Sequence, residues 1–215
     1  MNYNILISGK KRSGKDFIGY HLSQYHNKKI LKLSNKLYDV VKTLFNIDIN
    51  NLEQSNDINI KENTYVYNDI TLRKFLQTFA TDFIRNQIGQ DFWIDTLINS
   101  NNDLLNTGDS VITDIRFQNE LEIINSRFNC INVLVINEKN TNIDNHISET
   151  PIDKNHFDII IYNYKSNYFE YEIINDNPNL IQYILHPLFK QRFNMVERCL
   201  KKKNIISITK SFYNT

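Results

Sequence analysis

The residues best suited to chemistry form one run near the start of the chain, Gly9-Lys10-Lys11-Arg12-Ser13-Gly14-Lys15-Asp16. This is the G-x-x-x-x-G-K spacing of a phosphate-binding loop. Glycines let the backbone curl until successive N–H groups point inward at phosphate oxygens. A helix starting at the loop's end adds the partial positive charge of its N-terminus, and Lys15 supplies a point charge for the β- and γ-phosphates. Lys10, Lys11 and Arg12 make the loop more cationic, and Ser13 completes it. The residue after the lysine ordinarily offers a hydroxyl to Mg²⁺. Here it is Asp16, a carboxylate suited to holding the metal through a water. The bland alternative is a basic turn with two glycines in it.

The flanking elements argue against that alternative. Tyr3 to Ile7 is short, apolar and β-prone, and Lys15 to Tyr25 has helical spacing with Phe17, Ile18 and Leu22 on one side. A second carboxylate, Asp114, ends the apolar strand Ser110–Thr113, where an acid can orient Mg²⁺ or its water shell. Alone such an acid also suits a helix cap, and combined with the loop it favours the metal reading. Arg116 follows at once and is expected to face the cleft at the carboxyl ends of the strands.

Further along, a short strand at Ile30–Leu33 leads to a helix near Leu37–Leu44, and residues 46–69 read as an irregular, Asn-rich excursion. One long helix is predicted from Thr71 to about Ile88, with Leu72, Leu76, Phe79 and Phe83 as its core stripe. Gly89 closes it, and Asp91 starts another helix that carries Trp93 and Leu97. Helix 117–127, strand Ile131–Ile136, a polar stretch 137–157, a last strand Asp158–Tyr162 and a helical C-terminal part complete the reading. Strands alternating with helices predict an α/β fold with a parallel sheet.

The totals agree with a globular protein: 215 residues, 41% hydrophobic, 23% charged, formal net charge +1. That charge gives no global pull toward nucleic acid or membranes. Cys130 and Cys199 form neither a metal-like spacing nor a disulfide framework. No targeting segment is visible, so a cytoplasmic location is expected. Ala80 is the only alanine, while Asn, Ile, Lys and Tyr abound. Such a bias fits an AT-rich phage or viral genome, and hence a host cytoplasm.

With these residues in view, Ser8 to Asp16 resembles the phosphate loop of the phage-type deoxynucleoside monophosphate kinases. It is also similar to that of the animal phosphomevalonate kinases, which share the fold and the Lys-Asp ending. Leu76-Gln77, Thr81-Asp82, Arg85 and Asp91-Phe92-Trp93 look like the family's central helical segment. Thr113-Asp114-Ile115-Arg116-Phe117-Gln118-Asn119-Glu120 is similar to its Asp-x-Arg-Phe-x-Asn-Glu element. Asp144-Asn145-His146-Ile147-Ser148-Glu149 resembles its lid, and Asp158 with Asn163 fits its last strand. The second and third of these stretches lie closer to the nucleotide kinases than to the mevalonate branch.

The resemblance implies a three-layer α/β/α fold with a five-stranded parallel sheet, a P-loop kinase domain at 1–186, an acceptor-binding region at about 34–100 and a lid at about 137–157. It implies ATP and Mg²⁺ as co-substrates, nucleotides as small-molecule partners, and a homodimer as one assembly. Lys15, Arg73, Arg85 and Arg116 are then the charge-neutralising residues, with Asp114 beside them and Asp16 and Asp114 toward the metal. Arg73, Gln77, Asp82, Arg85, Trp93 and Arg116 would meet the acceptor, and Asn163 would meet adenine. The lid stretch departs from the family pattern, because 137–157 contains no arginine and only Lys139 and Lys154 as cations. The basic extension 187–215, with Lys190, Arg192, Arg198 and Lys201 to Lys203, reads first as a solvated helix and second as a nucleic-acid contact. Three functions stay open: phosphorylation of deoxynucleoside monophosphates, phosphorylation of another acceptor such as phosphomevalonate, and non-catalytic nucleotide or DNA binding.

Overall fold

A computed structural model describes residues 2–53, 59–137, 146–164, 168–175, 177–190 and 194–197. The first strand, β1 (Asn4–Ser8), is buried along its whole length and pairs in parallel with β5 (Ser110–Ile115) on one side and β6 (Cys130–Ile136) on the other. Beyond β5 lies β2 (Lys29–Leu31), and beyond β6 lies β7 (Ile159–Asn163), both parallel. These five strands are the expected parallel sheet. Two more extend it: β8 (Tyr168–Ile173), antiparallel to β7, and β9 (Asn194–Glu197), parallel to β8.

Side chains alternate across a strand, so β1 serves two cores. Ile5 and Ile7 pack with Ile18 and Leu22 of α1 (Lys15–His26) and with Ile184 and Leu188 of α8 (Pro178–Lys190). Leu6 faces the other layer, with Leu37 of α2 (Asn35–Phe45), Leu72 and Ile94. Burying one such side chain contributes about 1.5–3 kcal/mol.

Three regions differ from the sequence expectation. The stretch 46–69 holds α3 (Ile49–Glu53), α4 (Ile60–Asn63) and β3 (Tyr65–Tyr67), which pairs with β4 (Ile70–Thr71); helices of one turn and strands of two or three residues are too short to show a period. The predicted long helix is α-helical only as α5 (Leu72–Gln77) and continues as a π-helix, Thr78–Ile88. Its i→i+5 hydrogen bonds add a residue to each turn, so the buried stripe slips. After Leu72 and Leu76 come Thr81, Ile84 and Arg85, while Phe83 is left 51% exposed. Finally, the C-terminal part is not helical throughout: β8 intervenes between the last predicted strand and the C-terminal helix, with Phe169 and Tyr171 turned inward, and β9 stands inside the extension expected as a helix, where pairing with β8 sets its structure.

The remaining elements are α6 (Phe92–Thr107) and α7 (Gln118–Arg127). Two 3₁₀ turns, Ile147–Glu149 and Lys154–His156, stand at the base of the predicted lid. Lys139 and most of the basic extension lie outside the described residues, although α8 carries the chain through to 190. Among the described residues no helix is long and apolar enough to cross a membrane.

Candidate active site

The glycine-lysine loop leaves the carboxyl end of β1 and turns into α1 at Gly14. Gly14 has φ 96°, in the left-handed region, and a Cβ there would run into Nδ2 of Asn163. A Cβ on Gly9 would strike the Val135 carbonyl oxygen. Gly9 is therefore required by the close approach of β6, and Gly14 by its left-handed backbone, with the Asn163 side chain in the space a Cβ would take. Arg12 also adopts a left-handed φ of 63°. The Ser13 N–H donates to the Lys10 carbonyl at 3.1 Å, and Asn163 Nδ2 donates to the Ser13 carbonyl at 2.9 Å. Asn163, expected at adenine, here braces the loop.

Lys15 is buried, and burial pulls its pKa below the ordinary lysine value; Asp16 opposes that pull and Arg116 adds to it. Its Nζ lies 3.2 Å from Asp16 Oδ2, while Lys32 approaches Asp16 Oδ1 at 3.5 Å. Burial would raise the Asp16 pKa, but the two lysines outweigh it and keep the carboxylate ionised.

Three arginines converge on the same cleft, each set on a carboxylate, and Arg116 Nη1 also donates to the Gly9 carbonyl of the loop at 3.4 Å. Arg85 pairs with Glu120 at 3.2 Å, donates to Asn119 Oδ1 at 3.0 Å and lies over the Phe117 ring at 3.7 Å. Arg73 Nη2 reaches Glu149 Oε1 at 2.8 Å, and Arg116 Nη1 reaches Glu149 Oε2 at 3.0 Å. The π-helix makes this convergence possible. In an α-helix, positions four apart overshoot a full turn and drift steadily around the axis. The wider π turn makes the same interval fall short, which cancels the drift. Arg73, Gln77, Thr81 and Arg85 thus all line one cleft, together with Lys15, Asp16, Asp114, Arg116 and Trp93.

Two expected residues have structural occupations in the wall. Asp114 accepts the N–H groups of Leu33 and Ser34 at 2.8 and 3.0 Å, fixing the turn between β2 and α2. Trp93 is buried and its indole N–H donates to the Ala80 carbonyl at 3.0 Å. Asp82 is separated from the others: it is outside the cleft wall and faces His146, with Oδ1 3.9 Å from Nε2.

Sequence reasoning left several wall residues unassigned. Lys32, Tyr38, Glu53 and Lys61 line the cleft and form a small network in which Lys61 meets Glu53 at 2.5 Å and Tyr38 Oη at 2.7 Å. Lys32 follows β2 at a strand's carboxyl end, a signal that was present; Glu53 and Lys61 come from the short helices and had none. Glu120 is buried, and burial pushes its pKa up to about 7 against the pull of the Arg116 and Phe117 N–H groups and Arg85. A second cavity of about 360 Å³ lies between the loop, the end of β6 and the lid base. Arg116, Ser148 and Glu149 line both spaces, so they form the wall between them.

A family model described as deoxynucleotide monophosphate kinase matches residues 37–169. The matched span includes Arg73, Arg85, Arg116 and Glu149 and stops short of the glycine-lysine loop. No curated protein matches the chain. With a mostly parallel sheet, flanking helices and a matched span longer than half of its length, the chain belongs to the deoxynucleotide monophosphate kinase family.

Proposed function

We propose that this protein transfers the terminal phosphoryl group of ATP to the phosphate of a deoxynucleoside monophosphate, giving the diphosphate and ADP. The observation that carries this reading is the single cleft in which buried Lys15, at the start of α1, faces Arg73, Arg85 and Arg116. Phosphoryl transfer needs positioning and neutralisation of spreading negative charge rather than covalent help from the protein. Lys15 and the N–H groups of the phosphate loop hold the donor phosphates. The guanidinium forks hold the acceptor phosphate in a bidentate way. The attacking atom is an oxygen of an already ionised phosphate, so no side chain has to remove a proton from it.

Asp16 and Asp114 both line the cleft with Lys15; the Asp16 oxygens face Lys15 and Lys32, and those of Asp114 each accept one backbone N–H and keep a second lone pair. That donor set suits Mg²⁺, which binds through one or two carboxylates, substrate phosphates and several waters. Bound there, the metal would neutralise charge on the β- and γ-oxygens. Asp16 would hold its water shell, with Asp114 behind.

Within this reading, residues of about 34–100 bind the acceptor and 137–157 close over it. The arginines come from α5, the π-helix and the turn after β5, so an arginine in the lid is not required for the clamp.

The test is ADP release from ATP and Mg²⁺ with dGMP, dTMP, dCMP, dAMP, a hydroxymethylated dCMP or phosphomevalonate, beside Lys15→Ala. Turnover with one or more deoxynucleotides, lost in the variant, supports the reading. Turnover with phosphomevalonate alone moves the acceptor assignment. Nucleotide binding without turnover on any acceptor sinks the kinase.

A further inference from the structure

Glu149 sits in the 3₁₀ turn at the lid base with its side chain only 3% exposed. A buried carboxylate is costly unless its oxygens are satisfied. These are: Oε1 by Arg73, and Oε2 by Arg116 and by the Lys11 N–H at 2.8 Å. The three donors come from three separate parts of the fold: α5, the turn after β5 and the phosphate loop. Burial would raise the pKa of Glu149, and Arg116, the Lys11 N–H and Arg73 together hold it below the ordinary value.

Its place sharpens the question. Glu149 stands in the wall shared by the two cavities, where donor and acceptor phosphates would meet. A carboxylate and a phosphate at contact distance repel each other, the more so out of bulk water. A carboxylate there opposes phosphate binding if it acts alone, so any benefit must come through the arginines. A guanidinium has five N–H donors, more than the contact to Glu149, or for Arg116 the contacts to Glu149 and the Gly9 carbonyl, take up.

We propose that Glu149 is a positioning residue: it ties Arg73 and Arg116 to each other and to the phosphate loop, setting the spacing of the clamp before substrates arrive. This rests on the kinase reading above, and it adds a residue that touches no substrate.

The test uses the full chain with ATP and an accepted deoxynucleotide. Glu149→Gln is expected to lower kcat by about 10²-fold, as a small misplacement of positioned groups does, with KM for ATP moving less than about threefold. Glu149→Asp, which keeps the charge but shortens the reach, is expected to recover part of the loss. On an Arg116→Ala background the Gln substitution should cost at least about fivefold less, because the two residues act as a unit. Equal losses on both backgrounds, or undiminished kcat in Glu149→Gln, would overturn the proposal. Guanidinium NMR gives a readout without turnover. Held forks give separately resolved Nη signals for Arg73 and Arg116, which are expected to merge in Glu149→Gln. If the wild-type chain phosphorylates no nucleotide, the kinase reading fails, and the spectra still decide Glu149: unchanged Nη signals in the variant would refute its role.

Discussion

The glycine-lysine loop and the arginine wall line one cleft and touch at Gly9 and Lys11, but they hold their charges by different means. The loop is local. Eight consecutive residues build it, and its lysine is placed by backbone geometry, with two glycines where strands press against the chain. The wall is assembled from α5, the π-helix and the turn after β5, and each of its arginines is fixed by a carboxylate, Glu120 or Glu149. A lysine is a point charge on a flexible stem and needs a shaped backbone around it; a guanidinium fork needs its orientation set by partners. Substitutions should therefore act on the loop through loss of charge or backbone shape, and on the wall through loss of partners.

The largest effect is expected from Lys15→Ala, which removes the point charge buried at the start of α1. Within the kinase reading, kcat should fall by about 10³-fold, measured by ADP release, while thermal stability stays near wild type. A smaller loss would mean that Lys10 or Lys32 substitutes, and the contrast with the wall would weaken. Arg85→Lys keeps a cation but gives up the fork on Glu120 and Asn119 and the stacking on Phe117. KM for the acceptor should rise by about 10- to 100-fold. If Lys serves as well as Arg at this position, partner geometry is not what places the wall.

Glu120 offers a stability test of the same idea. Its folded pKa of about 7 lies above the ordinary value of 4.5, so the folded state binds the proton more tightly than the unfolded state does. That contribution is full below 4.5 and is lost as pH rises through about 7. Urea unfolding of Glu120→Gln against wild type should show the wild type losing a few kcal/mol relative to the variant across this window. Parallel curves would show that Glu120 stays ionised throughout. The smallest effect is expected from Asp82→Asn, because Asp82 faces His146 outside the cleft. Acceptor KM should change by less than about twofold. A large change would bring Asp82 back to the substrate.

The legibility of these parts in the sequence follows the same division. The loop, the parallel strands, the acid near the end of β5 and the arginine after it could be read because each depends on neighbours in the chain. In the helix that carries Arg73 and Arg85 the residues were legible and the register was not. An α-helical period sends Arg85 around the axis and Phe83 into the core, whereas the π turns bring Arg85 into the cleft and leave Phe83 half in water. The alternation of Phe169-Glu170-Tyr171-Glu172 was a strand signal in plain view, and it became β8 by pairing with β7.

By itself the sequence determined the glycine-lysine loop, the alternation of strands and helices, and the arginines available to a phosphate, since spacing and periodicity are properties of contiguous residues. Only the tertiary structure decided that Arg73, Arg85 and Arg116 share one cleft, that Asp82 is left out of it, and that Glu149 reaches the loop at Lys11. Those outcomes depend on helix register and on contacts across as many as 138 positions of chain, such as Lys11 to Glu149, and no local pattern encodes them.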